Sequence, residues 1–323
     1  MTTKEQVLAL LEANRTACLS GAALAQQLGL SRNAVWKAVK ALERDGYTIE
    51  AAPNKGYRLC DDCDKISAQG IRSFLREPLA EISVFDSLES TNITAKERAV
   101  AGAGHGTVVL AETQTAGKGR YGRDFFSPPG HGIYMSVVLH PQSLRFQTPT
   151  LVTAFAAVSV CQAIEAISEE KPQIKWVNDL FLNGKKICGI STQAVTDFES
   201  GAMQWIVLGI GINFTAPASG VPAELQSVVG SIFANGRPPT TRNRLIAEIL
   251  NGLLCCGNRQ TEDRLLALYR ARLMMLGKAV TVVGSGESYR ATALDIDDAG
   301  RLIVKKENGA LCTLLFGEVS IRG

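Results

Sequence analysis

Apolar side chains recur at helical spacing three times near the start of the chain. Val7, Leu10 and Leu11 stripe residues 4–13, and Leu24 with Leu28 stripe a second segment that Ser20 opens and Gly29 stops. Ser31 can cap a third helix in which Val35, Val39 and Leu42 face inward, leaving Arg32, Asn33, Trp36, Lys37 and Lys40 on the other faces. The period then shortens to two. Residues 47–51 and 57–59 alternate around a turn containing Pro53-Asn54-Lys55-Gly56, which predicts a β-hairpin, and residues 60–65 are acidic and polar, as in a linker. After Ser67, which can cap a short helix, apolar runs at Ile82–Phe85, Thr107–Ala111, Ile133–Leu139 and Trp205–Asn213 predict buried strands. A long apolar helix is expected over Leu151–Ile167, and Asn183-Gly184 predicts a tight hairpin between residues 174–182 and 185–190. Residues 241–276 read as helical, opening on Arg242-Asn243-Arg244. From Gly277 the chain changes to short strands at 279–283, 289–296, 302–305 and 311–316, with turns at Gly284-Ser285-Gly286 and Asp297–Gly300, the pattern of a small β-barrel. The reading is α+β and multidomain, divided at 1–65, 66–274 and 275–323.

Composition narrows the class. At 323 residues, 46% hydrophobic and 20% charged, the chain is expected to be globular. No signal peptide is visible and no apolar run reaches the ~18 residues of a membrane span, so the cytoplasm is the expected compartment and no membrane partner is expected. The eight cysteines sit mostly among apolar neighbours, as reduced thiols do. Cys60-Asp61-Asp62-Cys63 has C-x-x-C spacing without a second ligand pair, and the three histidines form no ligand-spaced cluster, so no metal ligands are assigned. The net charge of +3 is informative only in its placement. Through Leu59 there are eight Lys/Arg against five Asp/Glu, concentrated on the third helix and the hairpin turn. Helix, glycine turn, basic helix and hairpin form a winged helix-turn-helix, with Arg32, Asn33 and Lys37 placed to reach base edges, Trp36 beside them, and Lys40 and Lys55 placed to meet phosphates.

The densest chemistry is Gln114-Thr-Ala-Gly117-Lys118-Gly119-Arg120-Tyr-Gly122-Arg123, three glycines and three cations in one loop. Closely spaced glycines let backbone N–H groups turn toward an anion, and the cations supply the charge a phosphate needs. The glycines satisfy G-x-G-x-x-G, yet Phe125-Phe-Ser-Pro-Pro-Gly130 cannot open the helix that a dinucleotide fingerprint requires, and G-x-x-x-x-G-K-[ST] is absent. Lys175, Asn178 and Asp179 flank an apolar strand, while Lys185 and Lys186 start the return strand after the Asn-Gly turn. A plain core strand needs less polar chemistry than this.

Six motifs in order give the chain a resemblance to the three-domain biotin protein ligases that are also biotin-operon repressors. They are Ser90-Thr91-Asn92, the loop from Gln114 to Arg123, Lys175-Trp-Val-Asn178-Asp179, Lys186-x-x-Gly189-Ile190, Gly209-x-Gly211-x-Asn213 and Gly317-Glu-Val-Ser320. The resemblance implies a winged helix-turn-helix, a central mixed α/β ligase domain and an SH3-like C-terminal barrel. It also implies a two-step reaction: biotin and ATP give biotinyl-5'-AMP, which biotinylates a lysine of biotin carboxyl carrier protein, with Mg²⁺ accompanying ATP. By position, Ser90, Thr91, Asn92, Gln114, Gly117, Lys118, Gly119, Arg120, Lys186 and Gly189 resemble biotin contacts. Lys118, Arg120, Arg123, Lys175, Asn178, Lys186 and Asn213 resemble contacts to ATP or the adenylate, and Arg120, Lys186 and Asp179 the catalytic set. Biotinyl-5'-AMP as corepressor, operator DNA and an adenylate-dependent homodimer follow from the same resemblance. Three residues depart from the pattern: Lys118 for arginine, Val177 for proline and Gln193 for a carboxylate. The alternatives are a biotin-sensing repressor without ligase activity and a lipoate or octanoate ligase.

Overall fold

The computed structural model describes residues 1–52, 55–79, 81–119, 122–144, 148–196, 203–217, 220–235, 238–255, 262–283, 288–315 and 318–321. Arg120, Pro53-Asn54, the Gly284-Ser285-Gly286 turn and Gly317 therefore lie outside the described residues. The chain divides into two compact units, Met1–Pro78 with Thr240–Glu248, and Leu79–Pro239 with Ile249–Gly323.

In the first unit Thr2 opens helix α1 (Thr3–Ala13) with a capping box, its Oγ1 accepting from Glu5 N while Glu5 accepts from Thr2 N. Helix α2 (Gly21–Leu28) ends at Gly29, whose φ of 64° is the left-handed conformation that closes a helix. Ser31 caps α3 (Arg32–Arg44) by accepting from Ala34 N at 3.1 Å. The three apolar stripes meet, burying Val7, Leu11, Leu24, Val35, Val39 and Leu42 in one core. Strands β1 (Ile49–Ala52) and β2 (Gly56–Leu59) pair antiparallel, and Leu19 exchanges both backbone bonds with Tyr57, tying the wing to the start of α2. Gly56 has a φ of 106°, and a Cβ there would lie 2.1 Å from Leu19 O, so this close approach requires glycine. Cys63 belongs to the same core, and burial raises its thiol pKa.

Residues 60–67 carry more structure than a linker. Before α4 (Ala68–Arg72), Asp64 accepts from Arg242 N at 2.7 Å and Arg242 Nε at 3.0 Å, and its carbonyl accepts from Arg242 Nη2 at 2.6 Å. Asn243 donates to Lys65 O and accepts from Ser67 N, each at 3.0 Å. The arginine-rich opening of the late helix is thus an internal anchor: Arg242 and Asn243 are buried, their polar groups matched by a segment 178 residues away.

The second unit is built on β3 (Ile82–Leu88), β4 (Thr107–Gln114), β5 (Gly132–Leu139), β6 (Gln173–Lys175), β7 (Asp179–Leu182), β8 (Lys185–Thr196) and β9 (Met203–Asn213). They form one sheet in the order β3-β4-β5-β9-β8-β7-β6, parallel only between β3 and β4. Helix α5 (Thr91–Val100) covers one part, and α6 (Pro149–Ile167) packs against β8. By length and composition α6 could cross a membrane, which corrects the expectation that no run is long enough; inside this unit it is a mostly buried core helix. Its start at Pro149 follows a Thr148 cap, with proline suited to the first turn. After α7 (Arg242–Leu250) and α8 (Glu262–Arg272), strands β10 (Ala279–Val283), β11 (Ser288–Ile296), β12 (Leu302–Lys306), β13 (Leu311–Leu314) and β14 (Glu318–Ile321) form an antiparallel sheet in the order β13-β12-β11-β10-β14. Trp176 Nε1 donates to Gly300 O at 3.0 Å, and Arg270 to Asp295 at 2.5 Å, attaching this small sheet to the larger layer.

Candidate functional site

Strand ends and glycines make the cleft. Gly209 and Gly211 on β9 let neighbouring side chains lie directly on the sheet: a Cβ on Gly209 would lie 2.3 Å from Asn92 Oδ1 and 2.5 Å from Ser191 Oγ, and one on Gly211 would lie 2.6 Å from the Phe125 ring. Around these glycines stand Ser90, Thr91 and Asn92 at the start of α5, Gln114 at the end of β4, Lys118 and Gly119 in the glycine loop, Asn178 and Asp179 at β7, and Lys186 and Gly189 on β8. Together they line one open cleft.

The polar lining is pre-bonded. Gln114 Oε1 accepts from Thr91 N at 2.9 Å and Thr91 Oγ1 at 3.2 Å, and Gln114 Nε2 donates to Ser127 Oγ at 3.0 Å. Ser136 Oγ lies 2.8 Å from Thr91 Oγ1 and 2.7 Å from Asn92 Oδ1, while Asn92 Nδ2 donates to Ser191 Oγ at 2.9 Å. Ser127, Ser136 and Ser191 were not predicted from the sequence. Ser136 was findable: a fully buried serine in the run Ile133–Leu139 needs partners.

Strict alternation would put Lys186 and Gly189 on opposite faces of β8. A register irregularity opposite Leu180 and Phe181 brings them to one face, where a Cβ on Gly189 would lie 3.3 Å from Lys186 Cε. Lys186 Nζ is 2.8 Å from Asp179 Oδ1, outside hydrogen-bond geometry, so that buried oxygen is matched in charge but accepts no hydrogen bond. The pair presents a cation at the cleft, with Lys186 N and O fixed by Val228 O and Gly230 N.

The glycine loop rises as a narrow ribbon: Gly119 N donates to Arg123 O at 2.7 Å and Phe125 N to Gly117 O at 2.8 Å. Gly117 is buried beneath Gln114 and Ser127, where a Cβ would lie 2.8 Å from Gln114 Nε2. Lys118 and Arg123 are exposed, and Lys118 is paired with Asp124 at 2.5 Å. An exposed pair of this kind is worth about 0–1 kcal/mol, so a phosphate can displace it at small cost.

Gly117 and Arg123 of the loop do not line the cleft, and Asn213 and Lys175 lie elsewhere. Asn213 lines a neighbouring, more apolar cavity with Phe126, His131, Tyr134 and Lys185, and Tyr134 borders both spaces. Lys175 is not among the cleft residues: alternation on β6 buries Ile174, and the Lys175 ammonium lies 5.8 Å from the Phe181 ring centroid. The Trp176-Val177 peptide is cis. In the first unit Arg32, Asn33, Trp36, Lys37 and Lys40 are all exposed on α3, opposite its buried stripe, and Lys55 is exposed in the wing turn. Lys40 holds Glu43 at 2.6 Å in another exposed pair. Among the described residues no group of three or more His, Cys, Asp or Glu could hold a metal ion, and Asp179 is the carboxylate that faces the cleft.

Comparison with known proteins agrees with this layout. Residues 84–213 match the biotin/lipoate A/B protein ligase family, residues 3–58 an HTH domain, and residues 275–322 the biotin protein ligase C terminal domain. The chain is 33% identical over 317 residues to the bifunctional ligase/repressor BirA of Bacillus spizizenii, covering 95% of both chains. It is 34% identical over 300 residues to that of Bacillus subtilis, covering 90% of both. In fold it resembles the biotin protein ligase of Aquifex aeolicus solved with biotin and ATP, at a TM-score of 0.60 and 22% identity, covering 76% of this chain and 99% of the other. Ligase domains preceded by a helix-turn-helix, matched end to end in these relatives, mean that the chain belongs to the biotin protein ligase family, in its bifunctional ligase/repressor class.

Proposed function

We propose that the chain joins biotin to AMP in the cleft between α5, β8 and β9, transfers biotin to a lysine of a biotin carboxyl carrier protein, and represses transcription through its winged helix when biotinyl-5'-AMP is bound. The observation that carries this reading is the convergence of Ser90–Asn92, Gln114 and Lys186 in one cleft, where Gly209 lets Asn92 and Gly211 lets Phe125 lie directly on β9. The hydroxyl and amide groups suit a neutral polar ligand such as the biotin ureido group. In the first step a biotin carboxylate oxygen bonds to the α-phosphorus of ATP and the bond to pyrophosphate breaks. Two anions must approach, so Lys186 at the cleft and the cations Lys118, Arg120 and Arg123 of the loop are assigned to offset their repulsion. In the second step the carrier lysine bonds to the acyl carbon and AMP leaves. Asn178 is assigned to the adenylate. The apolar cavity holding Asn213 is assigned to the adenine, while Lys175 keeps only a distal electrostatic role. Magnesium would enter with the ATP phosphates, Asp179 being the cleft carboxylate able to face it.

Residues 1–65 are assigned to DNA binding, 66–274 to ligation and 275–323 to the C-terminal barrel. Lys37 is expected to contact a base edge: Lys37→Ala should cost about 1–3 kcal/mol on operator DNA and relax sequence preference at one position. Lys55→Ala should instead weaken binding to all sequences and lower the salt slope by about one. Fluorescence anisotropy across a salt series measures both, and a salt-independent affinity would sink the assignment. An adenylate-dependent homodimer matched to two half-sites completes the proposal, and sedimentation with and without biotinyl-5'-AMP tests it.

The ligase is tested by mixing the protein with MgATP, biotin and an apo carrier domain and recording the carrier's intact mass. A gain of one biotinyl group is expected. Adenylate absent under the same conditions would favour the sensor-only repressor, and preference for lipoate or octanoate in competition would favour the other ligase class.

A further inference from the structure

Ser127 is buried at 6% exposure, outside the lining of the cleft, yet it meets the lining residue Gln114 and both arms of the glycine loop. Its carbonyl accepts from Thr113 Oγ1 at 2.8 Å and from Gln114 N at 3.4 Å, closing the return of the loop onto β4. Its hydroxyl donates to Phe125 O at 2.9 Å and accepts from Gln114 Nε2 at 3.0 Å.

The directions of these bonds form a constrained chain. Thr91 N can only donate, so the Gln114 oxygen must face it, at 2.9 Å. The Gln114 nitrogen must then point the other way, where Ser127 Oγ receives it because that hydroxyl's single proton is committed to Phe125 O. A planar amide is thus held at both ends. At the Thr91 end the constraint continues through Ser136 to Asn92 and Ser191. Gly117 fills the space beside the Ser127 end: a Cβ on it would lie 2.9 Å from Ser127 Oγ. The hydroxyl is therefore the group on hand to hold the Gln114 nitrogen.

We propose that Ser127 is a positioning residue for biotin, fixing the orientation of the Gln114 amide from behind the cleft and coupling it to the base of the glycine loop. The inference rests on the assignment of the cleft to biotin. Removing the hydroxyl takes this partner from the Gln114 nitrogen and leaves the amide held at one end.

The test is steady-state adenylate formation, followed by pyrophosphate release. Ser127→Ala should raise the KM for biotin about tenfold, leaving kcat and the KM for ATP within about twofold, a split that general loss of fold would not produce. Ser127→Cys, similar in volume and a weaker hydrogen-bonding group, should fall between and serves if the alanine variant does not fold. Because Ser127 acts through Gln114, the double variant Ser127→Ala/Gln114→Ala should have the biotin KM of Gln114→Ala alone. An unchanged biotin KM in Ser127→Ala, or losses that add in the double variant, would overturn the proposal. Wild-type protein that makes no adenylate would instead remove the underlying assignment of the cleft.

Discussion

Lys186→Ala is expected to slow formation of biotinyl-5'-AMP by about 10²–10³-fold, the usual cost of removing one positioned charge-stabilising group from an active site. The Lys186 side chain is about three-quarters shielded from solvent, so little water is available to replace it. Its loss also exposes the reactants to Asp179, whose Oδ1 accepts no hydrogen bond and has the Lys186 ammonium at 2.8 Å. A carboxylate left unmatched there would repel both biotin and ATP phosphates. Two consequences separate this account from simple loss of fold. Asp179→Asn in the Lys186→Ala background should recover part of the rate, because the repelling charge goes with the attracting one. Lys186→Arg should recover less than full activity, since a planar guanidinium keeps the charge but not the point geometry. Single-turnover release of pyrophosphate measures all three, and a Lys186→Ala rate within threefold of wild type would remove Lys186 from the catalytic set.

The sequence disclosed whatever was local. Ser31 and Gly29 marked the ends of α3 and α2 because caps and left-handed stops are written in one or two residues. The hairpin joining β7 and β8 was legible for the same reason: Asn183 and Gly184 both have positive φ, at 51° and 76°, which that dipeptide favours. Pairings across long separations were not legible. Arg242-Asn243-Arg244 reads as the basic opening of a surface helix until Asp64 is seen to match the buried Arg242. In the site, the loop from Gln114 to Arg123 and Lys186 stand out because cations and glycines depart from the surrounding texture, whereas Ser90–Asn92 read by themselves as ordinary helix caps and enter the site only through the family resemblance. Ser127 and Ser191 do not stand out, because a lone serine has no periodicity and its role depends on what the sheet order brings to it. Lys175 shows the converse: it opens a motif and so resembles an adenylate contact, whereas strand alternation buries its neighbour Ile174 and leaves Lys175 beside Phe181, outside the cleft lining.

Gly209→Ala should raise the Kd for biotin by about 10–100-fold, although the substitution adds one methyl group to a buried strand and leaves every charge in place. The added carbon would lie 2.3 Å from Asn92 Oδ1 and 2.5 Å from Ser191 Oγ, far inside van der Waals contact. Neither neighbour can yield alone, because Asn92 is held by Ser136 at 2.7 Å and by Ser191 at 2.9 Å. Displacing Asn92 breaks one of these bonds, and Ser136 also bonds Thr91, so the disturbance reaches the Gln114 amide. Overpacking of this kind costs about 1–3 kcal/mol, which corresponds to roughly that 10–100-fold at 1.36 kcal/mol per decade. Calorimetric titration with biotin alone measures it without catalysis. Asn92→Ala in the same chain removes the nearer of the two clashes and leaves the one with Ser191, so the loss in Gly209→Ala/Asn92→Ala should be smaller than the two single losses added. Biotin binding unaffected by Gly209→Ala would mean that the Asn92–Ser191 arrangement on β9 does not position the ligand, and the cleft assignment would have to move to the cavity beside Asn213.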